Sequence, residues 1–544
     1  MIPNLIKIGR DIEMIYTNPV ISGFHPDPSV CRVGKDYYLV TSSFEYFPGI
    51  PIFHSTDLVN WNQIGHVLTR ESQLPLTRIH KMGPSQGIFA PTIRYHNGLF
   101  YVITTNISTT KNFYVYAEHP DGPWSEPVFI EGWGGIDPSL FFNEDGRVYI
   151  TGTSAFGSRE PVGIYQAELD IESGQLLTER RLIWKGTGGS SPEGPHLYKI
   201  NGWYYLLIAE GGTEYGHMVT IARSRSPYGP FEGNPNNPIL SNRSTDKPIQ
   251  ATGHADLVQA LDGSWWSVFL GIRPVGYPKR HHIGRETNLV SVHWTEGGWP
   301  IMGVDGHAEV ENDAKSLPFG PSQPWQEIED FDTTSLPLEW NFYRNPAPIS
   351  WSLTERSGWL TIRGQSCTLN DTDSPAFVGR RQQHLNCEIS TLMEFIPNDE
   401  GEEAGLTVFM NEHYHYEIAK TLKEGKSFIQ FRRRIGSMWK VEAEVEYDLP
   451  RVILGIKADD FSFTFSFMSS NGEKITLGKG ESSMLATEVA GGFTGLFFGM
   501  YATGNGKAST APAHFDYFSY RPDEDLKHDL LAAWTGGNTE NSVL

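Results

Sequence analysis

"DPSLFFNEDGRVYITGT", residues 137–153, is a short apolar run entered through Asp-Pro, a polar turn carrying D-G, and a second run rich in aromatic and β-branched residues. Two such runs about a D-G or N-G dipeptide spell a β-hairpin, because the tight turn needs positive φ at its centre, which Asn, Asp and Gly tolerate best. The pattern recurs as "APTIRYHNGLFYVITTN" from Ala90, "EGPHLYKINGWYYLLIAEG" from Glu193 and "HADLVQALDGSWWSVFLG" from His254. A further copy begins at Asp27, within "GFHPDPSVCRVGKDYYLVTSSF", and has G-K-D in place of the dipeptide. The intervals between copies are long enough for about four strands with loops, so five units predict a five-bladed β-propeller.

The early strand of each blade runs beside the central channel, so residues at one phase of the repeat converge on the axis. Those residues are Asp27, Ala90, Asp137, Glu193 and His254. Pro26 and Pro28 flank Asp27, and the expectation is that they set it in an extended conformation. Three like charges gathered in one pocket are costly unless chemistry requires them. Glycoside hydrolysis does: it needs one protonated carboxyl for the leaving oxygen and one ionised carboxylate on the opposite face. A third carboxylate can raise the acid's pKa and hold its orientation. Phe44, Phe47, Phe89 and Trp133 lie near the starts of the repeats and are candidate stacking surfaces for sugar rings.

The 544 residues exceed the size of a single core, and 12% aromatic residues, 56 Gly and 35 Pro favour many short strands. A net charge of −21 repels phosphate backbones and anionic membranes, so nucleic acid and membrane partners are not expected. Cys31, Cys367 and Cys387 are too few and too scattered for a disulfide framework or a zinc site. Asp11 and Glu13 interrupt the apolar character of the opening segment, which does not read as a signal peptide. A cytoplasmic protein is the expectation, with secretion left open by the sequons at Asn106, Asn242 and Asn370.

"NPVISGFHPDPSV", "GIFAPTIRY", "GIDPSLF", "SPEGPHLY", "TGHADLV" and "HIGRETNL", in that order, resemble glycoside hydrolase family 43, in the branch of β-xylosidases and α-L-arabinofuranosidases with a C-terminal β-sandwich. The resemblance spans nearly the whole chain. It implies an inverting mechanism, with Asp27 as general base, Glu193 as general acid and Asp137 as pKa modulator and orienting residue. It also implies that Arg285 binds substrate hydroxyls and that His254 lies at the channel centre, where some relatives hold a water or a metal ion. No cofactor is required on this reading, and a calcium ion near His254 is the one metal it admits. Two positions depart from the family pattern: Phe89 stands where many members have tryptophan, and Cys31 where aliphatic residues are usual.

The repeat stops near Pro318. This divides the chain into a propeller over 1–318, a Pro-rich linker over 319–326, a β-sandwich over 327–522, marked by strands such as "SFIQFRRR" and "FSFTFSFM", and a polar tail over 523–544. His413 and His415, in "HYHYE", fall on one face if this stretch is a strand, a geometry open to a metal but lacking a third ligand nearby. Phe493, in "GGFTGLFF", is the candidate for the aromatic that closes the pocket rim in relatives, after two glycines that permit close approach.

The expected function is an exo-acting inverting glycosidase releasing terminal β-1,4-linked xylose from short xylan fragments, with α-L-arabinofuranosides as a second substrate or, alternatively, the main one. Its partner is a small oligosaccharide, and a homo-oligomer is left open. A retaining fructan-cleaving propeller and a non-catalytic sugar-binding propeller are the competing readings. The latter has no need of a protonated acid.

Overall fold

The structure is a computed structural model that describes residues 6–8, 13–76, 84–155, 157–314, 316–318, 320–322 and 324–523. The tail expected beyond Asp523 lies outside these residues.

Five four-stranded antiparallel sheets form the blades. Blade 1 runs from Ser29 to Leu68, blade 2 from Thr92 to Phe129, blade 3 from Ser139 to Trp184, blade 4 from Glu193 to Gly233 and blade 5 from Gln250 to Met302. Their innermost strands abut one another around the axis. The hairpin turns form as their composition requires: Asn97-Gly98 and Asn201-Gly202 have positive φ at both residues, the two-residue geometry that matches the strand twist. The ring is tied shut beside blade 5, where Glu13–Thr17 pairs with Glu311–Asp313 and Asn18 bonds the backbone of Leu289.

The second half forms two stacked sheets of eight and nine strands. Leu406, Ile418 and Phe431 of one sheet meet Ile389, Leu454 and Phe465 of the other in a single apolar core. The eight-stranded sheet ends on a strand of the propeller, as Tyr46–Phe47 pairs with Phe342–Tyr343. Phe24, Phe44 and Tyr46 share a core cluster with Tyr343, Phe377, Phe409 and Phe497, so the two units are joined by buried apolar surface. Within the expected linker, Gly320 and Trp325 are both hydrogen-bonded to the folded units. The Gly320 N–H donates to Asp57 Oδ2 at 2.8 Å, and Trp325 Nε1 donates to the Tyr520 carbonyl at 3.0 Å.

Candidate active site

The blades set a common register. Ser29, Thr92, Ser139, His196 and Asp256 occupy equivalent places on the inner strands, facing Val40, Ile103, Thr151, Leu207 and Val268. Two residues earlier stand Asp27, Ala90, Asp137, Gly194 and His254. Glu193 is therefore one place ahead of the phase expected for it. The register of blade 4 shifts between Glu193 and His196, with one extra residue on the inner strand, and blade 5 has the same bulge between Gly253 and Asp256. Gly194 takes the phase position, and Glu193 starts from a different point of the ring than the two aspartates.

Asp27, Asp137, Gly194 and His254 share a left-handed backbone, with φ of +54°, +52°, +55° and +49°. The expectation of an extended Asp27 is thus overturned. A proline fixes its own φ, and while it biases its predecessor it does not exclude positive φ there. Such a conformation costs on the order of 1–3 kcal/mol for a non-glycine residue and persists only where the surroundings impose it. Here the Ser42 N–H donates to the Pro26 carbonyl, the His25 N–H to the Arg285 carbonyl, and the Thr287 hydroxyl to the His25 carbonyl.

The three carboxyls meet different neighbours. Asp27 is buried, which alone would raise its pKa. The Arg285 guanidinium at 2.8 Å, His254 at 3.7 Å and the Ser42 hydroxyl at 2.5 Å outweigh burial and hold it below the usual range. Burial, then the charges of Asp137 and Asp27, push Glu193 well above the ordinary carboxylate value, while 19% of its side chain stays open. The Arg285 charge opposes the rise without preventing it. Asp137 is raised to about 6, by burial first, with Asp27 adding to the rise and His254 and the Gly194 N–H at 3.2 Å opposing it. His217, whose Nε2 is 3.9 Å from Glu193 Oε1, is pushed down to about 3, chiefly by burial, and so brings no positive charge to the acid at neutral pH. The surroundings thus favour the ionised form of Asp27 and the protonated form of Glu193.

The aromatic candidates separate. Phe44, Phe89 and Phe493 form a cluster with ring centroids 5.1–6.0 Å apart. Phe44 is 2% exposed and so backs the wall without presenting a face to it, while Phe493 is 41% exposed. Trp133 belongs to the core between blades 2 and 3, under the Arg180 guanidinium, and Phe47 lies in the strand shared with the sandwich. Neither belongs to the pocket.

Phe493 reaches the propeller from a sandwich loop clamped at both ends of one residue. Its N–H donates to Ser85 Oγ at 2.7 Å, and its carbonyl accepts from Arg285 Nη2 at 3.2 Å. The approach depends on glycine, since a Cβ on Gly492 would stand 2.5 Å from Ser85 Oγ and one on Gly495 would stand 1.9 Å from the Ile283 carbonyl oxygen. Arg285 also donates to Thr213 Oγ1 at 3.2 Å, so its Nη atoms are engaged by protein groups, and its buried Nε has no partner among the described residues.

Ser42, Ser85, Thr213, His217 and Glu210 escaped the sequence reading. Glu210 is fully buried and accepts from the backbone of Thr187 and Gly189, which pins the loop leading to Glu193. His415 is not a metal ligand candidate: it is buried against Glu417 at 3.2 Å, while His413 lies in the turn before the strand and not on a shared face. Calcium takes six to eight oxygen ligands. Among the described residues no group of three His, Cys, Asp or Glu is arranged to hold a metal ion, so a calcium ion near His254 would take its ligands chiefly from carbonyl and water oxygens. All three cysteines are free, and burial pushes the Cys31 thiol up to about 12.

Comparison with known proteins agrees with this geometry. The model of glycosyl hydrolases family 43 matches residues 16–300, and that of the beta xylosidase C-terminal concanavalin A-like domain matches residues 328–521. A protein of Bacteroides ovatus named non-reducing end alpha-L-arabinofuranosidase BoGH43B is 46% identical over 519 residues, 94% of this chain and 95% of that protein. A xylosidase/arabinosidase of Butyrivibrio fibrisolvens is 39% identical over 527 residues, 93% of this chain and 99% of that protein. The crystal structure of a xylan beta-1,4-xylosidase from Bacillus halodurans C-125 superposes with a TM-score of 0.86 at 35% identity, covering 93% of this chain and 99% of that one.

Proposed function

Because this chain belongs to glycosyl hydrolase family 43, we propose that it is an inverting exo-glycosidase that removes single terminal pentoses, β-D-xylose and α-L-arabinofuranose, from short oligosaccharides. Asp27 takes a proton from a water as that water's oxygen bonds to the anomeric carbon. Glu193 gives its proton to the glycosidic oxygen as the bond from that oxygen to the anomeric carbon breaks. Asp137 keeps Glu193 protonated and, through the Gly194 N–H, fixes the strand that carries it. Arg285 holds Asp27 ionised and in place. Both carboxyls return to their starting states by exchange with water, and no step needs a metal.

The observation that carries this reading is the opposite displacement of the two carboxyls: Asp27 is held low by Arg285 and His254 against its burial, and Glu193 is pushed high by burial and its acidic neighbours. That is the pairing of base and acid that glycoside hydrolysis needs. The relative at 46% identity carries the arabinofuranosidase name alone and the one at 39% carries both names, which favours arabinofuranosides as the better substrate. Paired assays of p-nitrophenyl α-L-arabinofuranoside and β-D-xyloside decide the order.

Role assignment is tested with aryl glycosides of graded leaving-group pKa. Glu193→Gln is expected to lose most activity on poor leaving groups and to recover it on good ones, which need little protonation. Asp27→Asn is expected to lose activity on all of them. Equal losses across the series would show the roles to be wrong.

A further inference from the structure

Beside the catalytic pocket, between the turn 211–217 of blade 4 and the segment leading into blade 5, lies a cleft of about 420 Å³ lined by Tyr215, Gly216, Arg243, Thr245, Gln250 and Lys279. Its volume falls within the roughly 300–1,000 Å³ typical of small-ligand sites. Its lining residues are chain neighbours of residues that contact the catalytic groups. Gly216 precedes His217, which faces Glu193, and Thr213 on the same turn contacts Arg285. Gln250 precedes Ala251, whose carbonyl is 3.1 Å from His217 Nδ1. The cleft is thus on the Glu193 side, the side from which a leaving group departs.

Its charge runs against that of the molecule. In a chain with a net charge of −21, two basic side chains line this cleft, and among the described residues neither makes an ion pair. Arg243 has only the Met218 thioether sulfur, a weak acceptor, at 3.1 Å from its Nη1. Neighbouring charges are already engaged: Lys247 pairs with Glu309, and Glu488 holds the Tyr215 hydroxyl, the His281 N–H and the His281 ring. Exposed Glu214 and Asp246 belong to the same loops but do not line the cleft. An aromatic ring, an amide, a hydroxyl and two unpaired cations around one cavity suit a sugar that bears a carboxylate. The general negative field would repel such a sugar elsewhere on the surface.

We infer that this cleft is a leaving-group subsite, and that the ligand it takes is a uronic acid carried on the oligosaccharide from which the terminal pentose is removed. The inference rests on the glycosidase reading above, which fixes the leaving-group side through Glu193. It makes Arg243 and Lys279 specificity residues that select acid-bearing fragments without touching the reacting bond.

The test is calorimetric and independent of turnover. The probes are aldotriouronic acid, a xylobiose bearing glucuronic acid, and the same trisaccharide with its carboxyl reduced to a primary alcohol. The wild-type protein is expected to bind the acid roughly 5–10-fold more tightly at low salt, the scale of two exposed ion pairs. The preference should shrink as salt is added. Arg243→Ala combined with Lys279→Ala should abolish it while leaving the thermal unfolding midpoint and the affinity for the carboxyl-reduced probe near the wild-type level, which shows that the variant is folded. Equal binding of the two probes by the wild type, or a preference that survives in the double variant, would overturn the proposal. A protein that prefers the acid but hydrolyses no pentoside would instead overturn the glycosidase reading, and one that hydrolyses pentosides without the preference would overturn this inference alone.

Discussion

Gly194→Ala is a change of one methyl group on the inner strand of blade 4, at the residue between Glu193 and Pro195. At φ +55° an alanine costs about 1–2 kcal/mol that glycine does not. Its Cβ would stand 2.9 Å from His254 Nε2 and 3.0 Å from both Cδ2 and Cε1, against an ordinary carbon contact of about 3.5–4.0 Å. The ring or the strand must therefore shift by roughly half an ångström, which as overpacking costs about 1–3 kcal/mol more. The displacement falls on the N–H that bonds Asp137 and on the residue after Glu193. Misplacing a catalytic group by about 1 Å can cost on the order of 100-fold, so kcat/KM on an aryl glycoside should fall by about 10- to 100-fold. Gly98→Ala is the control: its φ is +87°, nothing lies within 4 Å of its added Cβ, and it sits in the turn between Thr92–His96 and Leu99–Asn106. It should lose about 1 kcal/mol of stability and no activity. Initial rates and a thermal scan on both variants decide the matter. Gly194→Ala activity within about twofold of wild type would refute the argument that this backbone position sets the acid.

Asp137→Asn removes a negative charge that helps keep Glu193 protonated, so the basic limb of the pH–rate profile, which reports the acid, should move to lower pH. Arg285→Gln removes the main counter-charge of Asp27, so the acidic limb, which reports the base, should move to higher pH; an unmoved limb would refute the coupling in either case. Phe493→Ala should weaken binding of short substrates by about 1–3 kcal/mol, and Ser85→Ala, which frees the Phe493 N–H, should raise KM in the same direction with little change in kcat. The fragment 1–318 lacks Phe342–Tyr343 and the rest of the apolar surface that covers Phe44 and Tyr46, and should be poorly soluble and inactive; full activity would show the sandwich to be dispensable.

The blades were legible in the sequence because N-G and D-G turns and alternating strands are local signals, and they recur. The site was legible because two of its acids precede Pro28 and Pro138 directly and Glu193 lies one residue further from Pro195. That extra residue is Gly194. Aligning the repeats on proline in place of the acid exposes it, whereas aligning on the acid conceals it. The positive φ of Asp27 was not legible, because it is imposed by bonds from Ser42, Arg285 and Thr287, which are remote or ordinary in sequence. Burial depth was equally hidden: Phe44 and Phe493 are both phenylalanines near glycine-bearing loops, yet one is sealed and the other open. Thr213 and His217 enter through a loop within blade 4 and Ser85 through the segment between blades 1 and 2, where no periodic pattern marks a polar residue as anything but solvated.

The central claim is that Asp27 directs water, and not its own oxygen, to the anomeric carbon while Glu193 protonates the leaving group. Proton NMR of the first minutes of hydrolysis of an aryl β-D-xyloside, before the released sugar mutarotates, tests it most directly. The account predicts that α-xylose appears first and β-xylose grows in only with mutarotation. Initial release of β-xylose would mean retention through a covalent intermediate on Asp27, and would contradict it.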